Sequence, residues 1–330
     1  MLDVAVIGVG YIGELHARLY TEHQLTNLCA VVDIDTERAS TVAKKYNVPN
    51  MYSDVETAMA DHDLDAVTVA TPEAYHREPT EMALDHGISV LLEKPIAKTV
   101  TDAQAIQEVA DASDGNLLLG YCCRFHPEYA ALKRRIDAGD IGTVRAITAA
   151  RVASREVYHM VTEWTHPMYY LAVHDIDMMR WYMGTEVVSV AANASAGFDD
   201  TDVPAVVTTT MEFANGAVGL LETNWGRSEG YPSIRTDEIR VTGTDGHGRV
   251  IIENDDATIT TAEGFEYLET SELHGRETGM YRFQLDHFVD VVEDGTPPLV
   301  TAEDGLRSLE VANAVIDALD TGERVQVGTQ

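Results

Sequence analysis

The sequence predicts an α/β protein with two domains: an N-terminal doubly wound parallel sheet, and a C-terminal α/β domain with a large, mostly antiparallel open sheet. Up to about residue 121, short apolar strands alternate with helical patterns, which is typical of βαβ units. From residue 144 onwards the strands are longer and show β-branched alternation. The chain has 330 residues, a length that suits two domains. We therefore predict domains at 1–122 and 123–330.

The elements of the first domain follow from this alternation. The predicted strands are Val4–Ile7, Leu28–Asp33, Ala66–Ala70, Ser89–Leu92 and Leu117–Tyr121. The predicted helices are Ile12–Thr21, Thr36–Tyr46, Arg77–Asp85 and Thr101–Ala112. We expect Thr36 and Thr101 to be N-caps, because a threonine hydroxyl can accept a hydrogen bond from a free N–H of the first turn.

The second domain begins with a predicted helix over Pro127–Ala138. Its predicted strands are Val144–Val152, Val187–Ser195, Val206–Phe213, Ala217–Asn224, Glu238–Thr242 and Arg249–Glu253. Further helices are predicted at Tyr169–Tyr182, Met280–Asp294 and Ala302–Leu319. The turns Ala214-Asn215-Gly216 and Thr244-Asp245-Gly246 indicate hairpins. A broad sheet of this kind needs a cover on one face, which association of subunits commonly supplies.

The charge balance argues against several kinds of partner. The chain has 23 basic and 55 acidic residues, for a net charge of −32, which disfavours nucleic acid and anionic membranes. No apolar run reaches the roughly 18–20 residues of a membrane helix, so we expect a soluble, cytoplasmic protein. Acidic, lysine-poor surfaces resemble those of proteins from high-salt cytoplasms, and we expect a halophilic origin. A specific cationic partner is the alternative explanation of the acidic surface.

A glycine-rich turn follows the first strand directly. Gly8, Gly10 and Gly13 form a Gly-x-Gly-x-x-Gly pattern that ends the strand and opens a helix. The first glycine permits a tight turn, the second lets backbone amides approach a pyrophosphate, and the third permits close helix–strand packing. Because the pattern stands between a strand and a helix, it predicts a dinucleotide-binding Rossmann domain, with Tyr11 and Ile12 in the binding turn.

An acidic residue, Asp33, stands at the end of the second strand, about 20 residues after this turn. Its carboxylate can accept hydrogen bonds from the adenosine ribose hydroxyls and repels a 2′-phosphate. The next three residues carry no basic side chain, and we expect Arg38 to point to solvent. The sequence therefore favours NAD over NADP.

Lys94 is one of only five lysines in the chain. It follows the apolar run Ser89–Leu92, which should lie in the core of a parallel sheet and which Pro95 brings to an end. Open α/β sheets bind their ligands beyond the carboxyl ends of the strands. A partly desolvated lysine there can serve as an acid or base, since burial lowers its pKa.

Two further segments fit a hydride-transfer site. Thr71 and Pro72, with His76 shortly after them, follow the third apolar strand and should reach the same edge of the sheet. In the second domain, His174 lies near the expected start of a helix. A helix start lowers the pKa of a histidine, which suits an acid or base working near neutrality.

These motifs, in their order and spacing, resemble the glucose–fructose oxidoreductase / inositol dehydrogenase (Gfo/Idh/MocA) family over essentially the whole chain. The resemblance rests on Gly8, Gly10 and Gly13, on Ala70-Thr71-Pro72, Glu93-Lys94-Pro95, Gly120-Tyr121, Arg124-Phe125, Gly139-Asp140-Ile141-Gly142 and on His174-Asp175-Ile176-Asp177. It implies NAD(P)-dependent oxidation of a secondary hydroxyl on a sugar or inositol-type polyol, in a homodimer or homotetramer.

The resemblance also implies roles for particular side chains. Lys94 would contact the reacting hydroxyl and His174 would be the catalytic acid or base. We assign to cofactor binding the turn residues and Asp33 named above, together with Thr71, Pro72, His76, Glu93 and Lys94. We further predict substrate contacts for Arg124 and Tyr231.

The chain departs from the family at Tyr170. Family members commonly carry an aspartate there, four residues before the histidine and on the same helical face. A tyrosine, with a reference pKa of about 10, is a poor base unless its pKa is strongly lowered. We expect Tyr170 to orient the substrate beside the catalytic Lys94 and His174; the alternative is that it packs in the helix core.

We expect no metal site, because the spacing of His159, Glu163 and His166 fits no standard ligand set.

The function predicted from these motifs and from the resemblance is the NAD-dependent oxidation of a polyol hydroxyl, with Lys94 and His174 in acid–base roles. Two alternatives on the same scaffold stay open. One is a non-catalytic NAD(P)-binding sensor, and the other is a glycosidase or reductase that recycles NAD in place.

Overall fold

The computed structural model describes residues 1–162, 164–199, 201–228, 235–253, 258–261, 264–267 and 272–328. The chain forms two compact units. The first is Met1–Phe125 with Leu273–Leu306, and the second is His126–Glu272 with Arg307–Gln330. The first unit thus includes a segment from late in the chain, and the division at residue 122 stays our proposal for the domain boundary.

Residues 1–125 alternate strictly between strands and helices. In chain order the elements are β1 (Leu2–Ile7), α1 (Tyr11–Glu22), β2 (Thr26–Val32), α2 (Thr36–Tyr46), β3 (Asn50–Tyr52), α3 (Val55–Asp61), β4 (Ala66–Val69), α4 (Arg77–Asp85), β5 (Ser89–Leu92), α5 (Val100–Ala112) and β6 (Leu117–Leu119). The strands form one sheet in the order β3-β2-β1-β4-β5-β6, and every neighbouring pair is parallel. The predicted doubly wound parallel sheet is confirmed.

The strands at the centre of this sheet are apolar because helices cover both faces. Every residue of β4 and β5 is buried, as the continuous apolar runs predicted. The predicted helices are confirmed to within one residue at each end. The sequence analysis missed β3 and α3, which are short, three and seven residues respectively, and carry no long apolar pattern.

Both predicted N-caps were wrong. Helix α2 is capped by Asp35, whose carboxylate accepts hydrogen bonds from the N–H groups of Glu37 and Arg38. Helix α5 is capped by Thr99, whose hydroxyl accepts from Asp102 N–H at 3.1 Å. In each case a side chain one or two residues earlier than predicted meets the first free N–H groups.

The second unit is built around a broad mixed sheet. Its elements up to residue 267 are α6 (Pro127–Asp137), β7 (Val144–Ser154), α7 (Arg155–Val161), a π-helical turn (Met168–Ala172), α8 (Val173–Met183), β8 (Val187–Ala194), β9 (Val206–Phe213), β10 (Val218–Arg227), β11 (Arg235–Gly243), β12 (His247–Glu253), β13 (Thr258–Thr261) and β14 (Gly264–Tyr267). Next in the chain come β15 (Glu272–Leu273), then β16 (Arg276–Glu277) and α9 (Met280–Asp294), which belong to the first unit, and finally α10 (Ala302–Thr321) and β17 (Val325–Gln326).

The large sheet has the strand order β12-β11-β7-β10-β9-β8-β17. Its neighbouring strands are antiparallel except for β7 and β10, which run parallel. The two predicted hairpins, β9–β10 and β11–β12, are present. The mostly antiparallel sheet is thus confirmed, with one parallel pair at its centre.

The two faces of this sheet differ in burial. Along β9 and β10 the side chains alternate between buried and exposed, and α7 and α8 pack on β7 and β10. The other face of β10 exposes Val218 and Leu220, at 56% and 46% of their surface. Among the described residues, none of the helices has the length and apolarity needed to cross a membrane.

Candidate active site

The turn between β1 and α1 accepts only glycine at two positions. Gly8 has φ +82°, and a Cβ built on it would lie 2.8 Å from the backbone nitrogen of Thr71. A Cβ on Gly13 would lie 1.8 Å from the carbonyl oxygen of Gly8, so α1 packs directly against the turn. A Cβ on Gly10 would meet no protein atom within 4 Å. The turn is therefore packed against the protein at Gly8 and Gly13. It is open at Gly10, where the pyrophosphate of a dinucleotide could approach the protein backbone.

Asp33 sits directly after β2, where its carboxylate meets the glycine turn. Its Oδ2 accepts a hydrogen bond from Val9 N–H at 3.0 Å, and its Oδ1 accepts one from Asp35 N–H at 2.9 Å. The guanidinium of Arg38 lies 3.3 Å from Oδ2. The expectation that Arg38 points to solvent is confirmed only in part. Its side chain is half exposed, but it forms ion pairs with Asp33 and Asp35, because α2 places it one turn from its own N-cap.

Four loops meet at one edge of the first sheet. Ile7 is level with Val32 on one side and with Val69 on the other, and Val69 is level with Leu92. The glycine turn, Asp33, the Thr71 loop and Lys94 each follow one of these residues within a few positions. The strand order also reverses between β1 and β4, which is where open α/β sheets bind dinucleotides. The residues present therefore fit NAD, with Asp33 placed for a ribose and the turn for a pyrophosphate.

Glu93 and Lys94 follow β5 at this edge. Lys94 is partly buried, and the peptide bond from Lys94 to Pro95 is cis. The Glu93 carboxylate is buried and accepts the backbone N–H of Lys94 at 3.2 Å. Burial alone would raise the pKa of Glu93, but its hydrogen bond to His16 and the nearby Lys94 charge together hold that pKa below its ordinary value.

His16 is a residue of this site that the sequence analysis missed. It lies on α1, three residues after Gly13, and its ring is fully buried. Its Nε2 lies 3.0 Å from Oε1 of Glu93. Because an ionised carboxylate can only accept, Nε2 is the donor. The signal was present in the sequence, since a histidine on the buried face of the helix after a glycine turn needs a polar partner.

The Thr71 loop follows β4 and is held by His76. Pro72 is exposed and Thr71 is partly buried, so both stand where a cofactor could reach them. His76 is buried, and its ring nitrogens face the carbonyl oxygens of Thr71 and Pro95. Tyr11 is 89% exposed at the start of α1. The assignments of these residues and of Ile12 to cofactor binding stay predictions.

In the second unit, His174 is the second residue of α8 and is 8% exposed. A π-helical turn runs directly into α8, and Val173 N–H donates to the carbonyl of Met168, five residues earlier. His174 thus lies near the start of an α-helix, as expected, but the π-helical turn continues into this start, so its N–H groups are not all free. The extra residue in the turn also alters the register, so Tyr170 and His174 do not have the plain i, i+4 relationship of an α-helix.

A buried ion network fixes α8 to the large sheet. Arg151 on β7 binds both carboxylate oxygens of Asp175 on α8, at 2.7 and 2.9 Å. Its third nitrogen lies 2.8 Å from Oδ2 of Asp237, the residue paired with Arg151 on β11. All three side chains are at most 1% exposed. The residue next to His174 is thus anchored by two charge-assisted hydrogen bonds.

Tyr170 lies in an aromatic cluster of the second unit. Its ring centroid is 6.1 Å from that of Trp225, which is buried, and 5.9 Å from that of Trp164, which is 49% exposed. Tyr170 itself is partly buried. Two aromatic rings therefore lie beside Tyr170 and offer it apolar contact.

Four other residues considered in the sequence analysis have the following surroundings. Arg124 is 4% exposed, and its guanidinium binds Asp304 and the carbonyl oxygen of Leu299. These contacts give Arg124 a structural role. Its contact with the substrate stays a prediction. Tyr231 and Glu163 lie outside the described residues. His166 accepts the N–H of Met168 at 3.2 Å, and burial lowers its pKa.

Comparison with known proteins covers both halves of the chain. The profile of the oxidoreductase family with an NAD-binding Rossmann fold, GFO_IDH_MocA, matches residues 2–121. The profile of its C-terminal α/β domain matches residues 133–327.

Individual relatives match along nearly their whole length. The scyllo-inositol 2-dehydrogenase (NAD(+)) of Bacillus subtilis is 28% identical over 98% of this chain and 95% of its own. Inositol 2-dehydrogenase 2 of Saccharopolyspora erythraea is 30% identical over 99% of this chain and 95% of its own. Among solved structures, scyllo-inositol dehydrogenase from Lactobacillus casei, with bound NAD(H) and scyllo-inositol, superposes with a TM-score of 0.87 at 23% identity, covering 100% of both chains. The last likeness concerns the fold.

Proposed function

The chain belongs to the oxidoreductase family GFO_IDH_MocA, with its NAD-binding Rossmann fold, and from this premise we propose that it oxidises a secondary hydroxyl of an inositol-type polyol or a sugar with NAD. One observation carries the proposal: the glycine turn, Asp33, the Thr71 loop and Lys94 converge at one edge of the first sheet. The substrate class is supported by the inositol dehydrogenases that match the whole chain.

The proposed reaction removes a proton and a hydride from one carbinol group. When bound, NAD supplies the acceptor for the hydride. Lys94 donates a hydrogen bond to the hydroxyl oxygen and stabilises the charge that develops on it. His174 accepts the hydroxyl proton, so that the products are a ketone, a reduced cofactor and one proton on the protein.

His174 and Lys94 are supported differently by their surroundings. The Lys94 backbone is held by Glu93, a buried carboxylate whose lowered pKa keeps it ionised. The backbone of His174 is held by the Asp175–Arg151 contact on the neighbouring residue. Each proposed catalytic side chain therefore extends from a rigid segment, which favours a fixed geometry at the reacting atoms.

Tyr170 is proposed to orient the substrate. Its ring lies against Trp225 and Trp164 and can present an aromatic face to the apolar side of a sugar or cyclitol ring. With Tyr170 in this position, proton transfer rests on Lys94 and His174 alone. Replacement of Tyr170 by leucine should raise the KM for the polyol with little change in kcat, because the aromatic face is lost while Lys94 and His174 remain. Replacement by phenylalanine keeps the ring and should leave the KM near that of the wild type.

The test of the function is a screen for NAD reduction with inositols, aldoses and uronates in multimolar salt. The proposal expects NADH to accumulate with at least one free polyol. Accumulation of free NADH would also exclude recycling of the cofactor in place. If the protein binds NAD but no polyol reduces it, the sensor alternative is favoured instead.

We also infer that the active form is a homodimer or homotetramer in the cytoplasm. The open face of the large sheet exposes Val218, Leu220 and, on β12, Ile251, which is 39% exposed. A second copy of the chain on this face would bury these apolar side chains. Analytical ultracentrifugation of the wild type and of Leu220→Glu tests this by comparing their oligomeric states. A charge on that face should shift the variant toward the monomer.

A further inference from the structure

Two loops of the first unit meet at one buried ring. His76 is 0% exposed and lies between the loop after β4 and the segment after β5. Its Nε2 is 2.7 Å from the carbonyl oxygen of Thr71. Its Nδ1 is 2.9 Å from the carbonyl oxygen of Pro95 and 3.3 Å from that of Ile96. Both ring nitrogens therefore face acceptors, one side toward the cofactor loop and the other toward the lysine segment.

These contacts determine which nitrogens of the His76 ring must carry a hydrogen. A carbonyl oxygen only accepts, so each contact needs a hydrogen on the nitrogen that makes it. Burial lowers the pKa of His76, against the opposing effect of the three carbonyl oxygens and the Glu93 charge. The neutral ring donates to one segment at a time, and the imidazolium donates to both. In either form His76 is shielded from solvent, so water cannot replace a lost contact.

We propose that His76 is a positioning residue for Lys94, which fixes the peptide segment after the lysine and ties it to the Thr71 loop. The inference rests on the proposed function, in which Lys94 contacts the reacting hydroxyl. Pro95 is bonded directly to Lys94, so a shift of the Pro95 carbonyl changes the direction of the lysine backbone. His76 acts through that carbonyl and not on the reacting atoms.

Asparagine and glutamine separate the two contacts of the ring, because their amide groups lie at different distances from the backbone. In His76→Asn the amide falls near the position of Nδ1 and can keep the contact to Pro95. In His76→Gln it falls near Nε2 and can keep the contact to Thr71. His76→Ala removes both contacts. The two amide variants keep the proposal testable even if the alanine variant fails to fold.

The measurement is competitive acetylation of the lysines, read by mass spectrometry at a temperature where circular dichroism shows each variant folded. The chain has five lysines, so Lys44 and Lys133, which lie outside the segment that His76 contacts, serve as internal references. We expect the relative reactivity of Lys94 to stay within about twofold of wild type in His76→Asn, and to change by about fivefold or more in His76→Gln and His76→Ala. His86→Asn is the matched control, since His86 is an exposed histidine at the end of α4 whose ring is hydrogen-bonded to the carbonyl oxygen of Met82.

Equal reactivity of Lys94 in wild type, His76→Gln and His76→Ala would overturn the proposal. With a polyol identified, His76→Gln should lower kcat by about tenfold with an unchanged KM for NAD. His76→Asn should mainly raise the KM for NAD. The labelling needs no turnover, so it gives its answer even if the proposed function fails. A fall in kcat without any change at Lys94 would also contradict the inference.

Discussion

The Nε2 atom of His16 lies 3.0 Å from Oε1 of Glu93. This contact joins α1, which begins at the glycine turn, to the segment that carries Lys94. Both side chains are buried, so the hydrogen bond is not exchanged with water. The dinucleotide turn and the proposed catalytic lysine are thus parts of one connected polar structure.

Replacement of His16 by leucine should cost about 3 kcal/mol of the free energy of unfolding at pH 7.5, because it leaves Oε1 of the buried Glu93 carboxylate without the donor that His16 supplies. The cost should depend on pH. In the wild type the pKa of Glu93 is lowered, so the ionised carboxylate contributes stability above its unfolded pKa of about 4.3, and this is lost as the pH falls further. Without His16, burial raises that pKa, and protonation relieves the cost.

Urea unfolding of wild type and His16→Leu at pH 7.5 and pH 5 measures this difference. The gap between the two proteins should be smaller at pH 5. His16→Gln is the control, since its amide can donate near the position of Nε2. A gap of equal size at both pH values would show that the penalty arises from packing alone.

Replacement of Asp33 by alanine should weaken NAD binding about tenfold, by loss of the ribose acceptor and of the carboxylate that holds Val9 N–H. It should also reduce the discrimination against NADP, because Arg38 then keeps its charge without its partner Asp33. Calorimetric titration with each dinucleotide measures both effects. Asp63→Asn, at an exposed position in a loop, should bind both as the wild type does. Unchanged NAD affinity in Asp33→Ala would contradict the assignment.

The sequence predicted the chain of elements well because the signals are local. Apolar runs of four residues and the glycine turn specify the central strands and the edge where they end. Partners distant in sequence were not predictable in this way. The contact between His16 and Glu93 joins residues 77 positions apart, and no local pattern records it.

The same limit explains what was missed in the second unit. Arg151 and Asp237 become partners only through the register of β7 and β11, and the π-helical turn before His174 has no periodic signature in the sequence. The ion pairs of Arg38 were missed for a related reason. Its direction depends on Asp35, a cap that the helical pattern alone did not reveal.

Replacement of Arg151 by methionine should lower the free energy of unfolding by roughly 3–5 kcal/mol, because it leaves the carboxylates of Asp175 and Asp237 buried without their shared cation. Urea unfolding in high salt measures the change. Arg145→Met, at an exposed position on the same strand, is the control and should shift stability by less than about 0.5 kcal/mol. Equal effects of the two substitutions would show that the buried network contributes little.

The net charge of −32 should make stability depend strongly on salt. Repulsion among the acidic side chains is screened as the Debye length falls from about 10 Å at 0.1 M to about 3 Å at 1 M salt. Thermal unfolding should therefore shift upward by several degrees between 0.1 and 2 M KCl. An unchanged midpoint would contradict the high-salt interpretation of the surface.

The central claim is that Lys94 acts on the reacting hydroxyl, and kcat of Lys94→Ala on the best polyol of the screen tests it most directly. Lys98→Ala, an exposed lysine four residues on, is the matched control. The account predicts that kcat falls by about 10²–10⁴-fold in Lys94→Ala while the protein still binds NAD, and that Lys98→Ala is unaffected. Full activity in Lys94→Ala would contradict the proposed mechanism.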